Sequence, residues 1–314
     1  MSNLLDKASI ILTPTAYNNG EALCVKPSDG SGDFDFSRNS AATRVNAKGL
    51  VENVQILSSN LVQNGDFSEE GSEEVSNGSF SQEGVQLVTN GSFDTDSDWT
   101  KQTGWSISGG TANCDGTQTA NSLIYQSGVF ASADSFKCEI TISNYQSGVL
   151  RFVLGGGGSE QSYSANGTYT FYGTKGSDNN LYLSANSDFI GSIDNCSVRE
   201  VGQNWSLVGE AEINVQGGRV YSSSGSISLL SQNDVMVVGK QYKLTFDVIA
   251  TNGTNLSNAD NSNIYDTSTT GSKVFYITAQ NSILYLKRLS GITDVTITNI
   301  SVKEVGQNWT LQPK

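Results

Sequence analysis

Residues 194–207 read DNCSVREVGQNWSL, and residues 298–311 read TNISVKEVGQNWTL. Setting Val198 on Val302 gives a shift of 104 residues, and the same shift carries Glu200 to Glu304, Trp205 to Trp309 and Leu207 to Leu311. A repeat with a period of about 100 residues is domain-sized, so each copy can close its own core, unlike the much shorter units of a solenoid. The chain therefore divides into tandem domains, one closing near Val201 and the next near Val305, each followed by Gly-Gln-Asn-Trp.

Working outward, the flanking sequence alternates with the period of a strand. In FKCEITI, Phe136, Cys138, Ile140 and Ile142 point one way while Lys137, Glu139 and Thr141 point the other. QYKLTFDVIA repeats the design with Tyr242, Leu244, Phe246 and Val248. The chain has 33 glycines and only three prolines, Pro14, Pro27 and Pro313. Short alternating runs separated by Gly/Asn/Ser turns, with no helical period, predict an all-β chain of two tandem antiparallel β-sandwiches. The boundaries read 1–60 for a leading segment, 61–86 for a connector, 87–203 for module 1 and 204–314 for module 2.

The connector carries a second repetition. Asn64-Gly-Asp-Phe67, Asn77-Gly-Ser-Phe80 and Asn90-Gly-Ser-Phe93 recur every 13 residues, each with a Val two residues before the Asn. Glu69, Glu70, Glu73, Glu74 and Glu83 lie between them, and a run so acidic and so poor in apolar residues does not fold alone. It reads as a linker duplicated from the first strand of module 1, or as a stalk whose phenylalanines fill an axis shared between chains.

The formal net charge is −13, which argues against a nucleic-acid partner because a phosphate backbone needs clustered Lys and Arg. There is no histidine, and the four cysteines (Cys24, Cys114, Cys138 and Cys196) lack metal-ligand spacing. Cys138 and Cys196 sit at apolar positions of strand-like runs and read as small core hydrophobes. No Ser-His-Asp or Cys-His set, nucleophile elbow or phosphate loop exists, and nothing selects one pair among the many carboxylates; a non-enzyme is expected. Asp94, Asp96 and Asp98 alternate like the start of a calcium loop, but Trp99 and Trp105 occupy its sixth and twelfth positions. GGGG at 155–158 reads as a loop. No stretch reaches the roughly 20 apolar residues of a membrane span, and ASIILTP is too short for a secretory core.

Two resemblances extend this reading. The stretch GDFDFSRNSAATRVNAKGLVE, Gly32 to Glu52, resembles a segment near the N-termini of bacteriophage tail-fibre and other virion-associated proteins, matching at Phe34, Phe36, Arg38, Ala42, Thr43, Arg44, Val45, Asn46, Gly49, Leu50 and Glu52. It implies a virion component docked through its leading segment, with Phe34, Phe36, Arg38 and Arg44 as docking residues; the same arginines also read as pairing with Asp33 and Asp35 across a hairpin. Residues 87–201 run from Leu-Val-x-Asn-Gly-x-Phe to Asp-Asn-x-Ser-Val-x-Glu-Val and are similar to jelly-roll carbohydrate-binding modules attached to glycan-degrading enzymes. That resemblance implies glycan contact through exposed aromatic rings. The candidates are Tyr125, Tyr145, Tyr163, Tyr172 and Tyr182 in module 1, and Tyr265, Tyr276 and Tyr285 in module 2. It also implies a structural calcium where the opening segment meets the closing strand, at Asp94 and Asp194. Trp99, Trp205 and Trp309 recur at the boundaries and read as packing between a module and its neighbour.

The expectation is a phage virion surface protein, a head fibre, tail fibre or decoration, made in the host cytoplasm and displaying glycan-adhesive modules, by analogy with fibres as a homotrimer. The alternatives are a soluble bacterial glycan-binding protein or enzyme accessory, and a purely architectural spacer.

Overall fold

The computed structural model describes the backbone of residues 11–18, 21–26, 34–35, 42–45, 48–54, 63–130, 135–307 and 309, with side chains described at 48–51, 63–130, 135–307 and 309. Every regular element among these is a β-strand, so none is a helix able to cross a membrane. Two compact units result, Met1–Gly65 and Asp66–Lys314. In the first, Ile11–Asn18, Glu21–Lys26 and Phe34–Asp35 form an antiparallel sheet, and Ala42–Val45 pairs with Val51–Val54. Phe34 and Arg44 thus lie on strands, while Phe36 and Arg38 lie outside the described residues.

The second unit holds two β-sandwiches. Module 1 faces a sheet of Gly167–Thr174, Ser135–Ser147, Ile190–Val201, Thr111–Asp115 and Trp105–Ser108 against one of Glu160–Tyr163, Leu150–Leu154, Leu181–Ala185, Ser122–Gln126 and Thr100–Lys101. Module 2 repeats the design. Its larger sheet orders Glu212–Asn214, Gly217–Ser222, Thr293–Val305, Gln241–Thr251 and Gly271–Thr278, and its smaller one orders Ser206–Val208, Leu229–Gln232, Leu284–Arg288, Leu256–Ser257 and Ile264–Tyr265. The alternation read from sequence sets which faces meet: Phe136, Cys138, Ile140 and Ile142 are buried in one core, and Tyr242, Leu244, Phe246 and Val248 in the other. Cys114, Cys138 and Cys196 are free, buried thiols.

The stretch 61–86, read as one connector ahead of module 1, is divided between the modules. Glu83–Gln86 pairs with the end of the closing strand Ile190–Val201, while Glu70–Glu73 pairs in the same way with Thr293–Val305 of module 2. Each segment is too poor in apolar residues to fold by itself and gains its backbone partners from the sheet edge it completes. The openings are nested: the nearer one, through Phe93, completes module 1, and the one before it, through Phe80, completes module 2. These phenylalanines fill module cores and do not face an axis shared between chains.

Local chemistry explains the Asn-Gly-x-Phe signature. Asn90 and Phe93 both adopt left-handed backbone (φ 50° and 54°), as do Asn77 and Phe80 (50° and 57°). In each turn the Phe N–H donates to the Asn carbonyl, at 3.1 and 3.0 Å. The closing strands answer with a bulge at Asn195 and Asn299 (φ 50° and 52°). There the Cys196 N–H donates to the Gly91 carbonyl (2.8 Å) and the Ile300 N–H to that of Gly78 (2.9 Å). A Cβ at Gly91 or Gly78 would sit inside the van der Waals radius of the Cys196 or Ile300 carbonyl oxygen, so the turn admits only glycine.

The tryptophans lock the openings. Trp99 lies against Phe93 with ring centroids 5.1 Å apart and donates its indole N–H to the Asn90 carbonyl at 3.1 Å. Trp205 does the same with Phe80 (5.0 Å) and Asn77 (3.1 Å). Trp99 therefore packs within module 1 and not against a neighbour, a correction to its sequence reading. At the junction, Val201 ends the closing strand of module 1 inside the core of module 2, with Leu207, Ile213 and Tyr172 packed around it.

Candidate functional site

The smaller sheet of module 1 turns one face to solvent. On Leu181–Ala185 the buried Leu181 and Leu183 leave Tyr182 pointing outward, and on Ser122–Gln126 the buried Ile124 and Gln126 do the same for Tyr125. These two strands pair Tyr125 directly opposite Tyr182, and their rings lie 5.8 Å apart at 41°. Register continues the row through Thr100 on one side, and through Val153 and Glu160 on the other. Cross-strand aromatic pairs stabilise a sheet modestly; partly buried on its outer face, Tyr125 and Tyr182 also offer an apolar surface bordered by polar groups.

Those polar groups are fixed. The Tyr182 hydroxyl donates to Asp178 Oδ2 (3.0 Å) and accepts from Asn180 Nδ2 (2.8 Å), and Asp178 Oδ1 accepts the Asn180 backbone N–H (2.9 Å). The glycine loop 155–158 braces this end: the Gly155 N–H donates to the Asn180 carbonyl at 2.8 Å, and the Ser177 N–H to that of Gly156 at 2.8 Å. On the same face Arg151 reaches Glu160 at 3.3 Å. A ring pair with amide, carboxylate and guanidinium groups at its margin can stack on one face of a sugar and hydrogen-bond its hydroxyls.

The other sequence candidates are dispersed. Tyr163 is buried and stacked on Tyr169 (4.4 Å), and Tyr265 is buried beside Phe246 and Phe275. Tyr145 donates to the Gly148 carbonyl (3.0 Å) and packs on Phe189. Tyr172 packs at the junction with module 2, and Tyr276 stands exposed on the larger sheet of module 2. Tyr285 occupies the register position of Tyr182, but Ser231 faces it where Tyr125 faces Tyr182. Asp178, Asn180, Arg151 and Glu160 were missed; the Asp-x-Asn step just before the Tyr182 strand was the available signal.

Asp94 accepts from the Ser92 hydroxyl (2.6 Å) and Asp194 from the Asn195 N–H (2.7 Å). Among the described residues no group of three or more Cys, Asp or Glu side chains gathers that could hold a metal ion. Burial pushes the Cys114, Cys138 and Cys196 thiols up, away from the reactive thiolate.

No family model and no curated protein matches the sequence. Among solved structures, the chain is similar to the N-terminal CBM22-1–CBM22-2 tandem domain of Paenibacillus barcinonensis Xyn10C. The identity is 12% and the TM-score 0.29, over 71% of this chain and 99% of that one.

Proposed function

We propose that this protein is a non-catalytic adhesin of a bacteriophage particle whose module 1 binds a neutral glycan chain across Tyr125 and Tyr182. The observation that carries the glycan reading is the outward tyrosine pair with the Tyr182 hydroxyl held between Asp178 and Asn180. Pyranoses with equatorial hydroxyls present the apolar face such rings stack on, and a net charge of −13 disfavours anionic polymers. The match from Gly32 to Glu52 supports display on a virion, anchored by the leading segment. Weak single contacts then gain strength through many copies on one particle.

Affinity electrophoresis and titration calorimetry against neutral β-linked polysaccharides test the binding. Tyr125→Ala and Tyr182→Ala should each weaken binding about tenfold or more, roughly 1.4 kcal/mol, while Tyr285→Ala leaves it unchanged. Retention equal to wild type in both module 1 variants would sink the glycan reading. Mass spectrometry of purified particles tests the virion assignment separately, and absence of the chain from them would end it.

A further inference from the structure

The joint that completes each module is built three times. Asn64 and Phe67 adopt the same left-handed backbone (φ 49° and 57°) as Asn77–Phe80 and Asn90–Phe93. Phe67 lies against Trp309 at 5.2 Å and 40°, beside 5.0 Å and 38° for Phe80–Trp205 and 5.1 Å and 35° for Phe93–Trp99. In the two finished joints the residues after the tryptophan enter the smaller sheet of the body, as Thr100–Lys101 and Ser206–Val208, and the ring pair is covered. Phe80 is 4% and Trp205 7% exposed; Phe67 is 56% and Trp309 44% exposed.

The surroundings carry the same contrast. Where module 1 meets module 2, Tyr172 and Val201 pack with Leu207 and Ile213. Tyr276 stands opposite Lys243 as Tyr172 stands opposite Lys137, so the two tyrosines share a register position, yet Tyr276 is 71% exposed. Val305 and Gly306, counterparts of Val201 and Gly202, line an open cleft of about 240 Å³ with Phe67, Trp309, Lys240 and Glu304. The far end of module 2 thus repeats the surface that module 1 presents to module 2.

We infer that this end is a docking seat for a further β-sandwich body of the same fold, one without an opening of its own, received against Trp309 and completed by Asn64–Phe67. The sequence at the joint agrees, because Trp309-Thr310-Leu311 repeats Trp205-Ser206-Leu207. The nesting agrees too: the nearest opening serves module 1 and the next serves module 2, which leaves the outermost for a further body. A glycan or a second copy of the chain would explain an exposed ring pair, but not why its geometry matches two pairs that each lie beneath a sandwich.

The test extends the full chain so that Trp309 is followed by a second copy of residues 206–305, and follows hydrogen exchange by mass spectrometry. The grafted copy of strand 241–251 should be protected to within about tenfold of the native one. Gly65→Val or Phe67→Ser in the extended chain should remove that protection at least tenfold while both native modules keep theirs. Three results overturn the inference: a grafted body unprotected with Gly65 and Phe67 intact, one indifferent to both substitutions, or self-association of the unextended chain that Trp309→Ala abolishes in sedimentation velocity.

Discussion

Modules 1 and 2 share a frame and differ on their faces. In both, a glutamate of the opening is clamped by two cations of the larger sheet: Glu83 by Lys137 (2.7 Å) and Arg199 (3.8 Å), and Glu70 by Lys243 (2.5 Å) and Lys303 (3.2 Å). In both, a buried glutamine of the smaller sheet grips the opening backbone with both ends of its amide, Gln126 on Thr89 (2.9 and 2.8 Å) and Gln232 on Ser76 (2.7 and 2.8 Å). On the outer face the correspondence stops. Tyr125 has become Ser231, and Asp178 and Asn180 have become Asn281 and Ile283, although the turn bond between the last two positions persists at 2.9 Å. The frame is set by how an opening attaches; the capacity to hold a ligand is set by outward residues that the frame leaves unconstrained.

The sharpest way to break that shared frame is at its glycines. Gly91→Val and Gly78→Val each push a side chain into a carbonyl oxygen of the closing strand bulge, and no rotamer relieves a clash at Cβ. Each should cost about 3 kcal/mol or more, since the opening must detach to make room. Hydrogen exchange should then rise first in strand 135–147 for Gly91→Val and in strand 241–251 for Gly78→Val. The opposite pairing would mean that the openings are not assigned as the structure places them.

A comparable effect separates the finished joints from the exposed one. Phe93→Ala and Phe80→Ala remove buried rings that pack on tryptophan, and each should cost about 3–5 kcal/mol before relaxation of the neighbouring chain softens it. Phe67→Ala removes a ring of the same geometry from a solvated site and should cost about 0.5 kcal/mol or less. Denaturant melts of the three variants measure this directly, and equal losses would show that exposure is not what distinguishes the joints.

Much of the frame was legible. The copies that begin at 194 and 298 carry the closing strands, which end at Val201 and Val305, and the strict alternation of Phe136–Ile142 and Tyr242–Val248 marks the inward faces. The destination of residues 70–80 was not, because it rests on contacts across enormous sequence separation, such as the Val302 N–H donating to Glu73 Oε1 at 2.8 Å. Local patterning cannot report such a pairing; only the combined 13-residue and 104-residue spacings hinted that openings and closings were matched sets. The eight tyrosines looked alike for a related reason. Tyr125 and Tyr182 alternate outward just as Tyr163 and Tyr265 alternate inward, and which face of a strand is covered depends on strands elsewhere in the chain.

Acid should separate the modules by the least. Arg219 holds Asp294 through two bonds (2.7 and 2.8 Å), reaches Glu212 at 2.7 Å and lies over the Tyr221 ring at 4.2 Å. Register places Asn113 and Ile190 at the equivalent points of module 1, so that ion pair belongs to module 2 alone. The guanidinium keeps the Asp294 carboxyl below the usual carboxylate range, so the folded state binds its proton less readily than the unfolded chain. Its contribution is therefore complete above the unfolded carboxylate value of about 3.9 and is lost as pH falls through the lower, folded value. Because Asp294 is partly exposed, solvent screening limits that contribution to about 0.5–1 kcal/mol. Between pH 7 and 5 the exchange rates of strands 135–147 and 241–251, referred to the intrinsic rates, should keep a constant ratio. Below about pH 4 strand 241–251 should lose protection first. Arg219→Met should narrow that divergence, and a divergence unchanged by it would place the acid-sensitive group elsewhere in module 2, as at Asp247, whose carboxyl is also lowered by its bonds from Ser272 and Asn299.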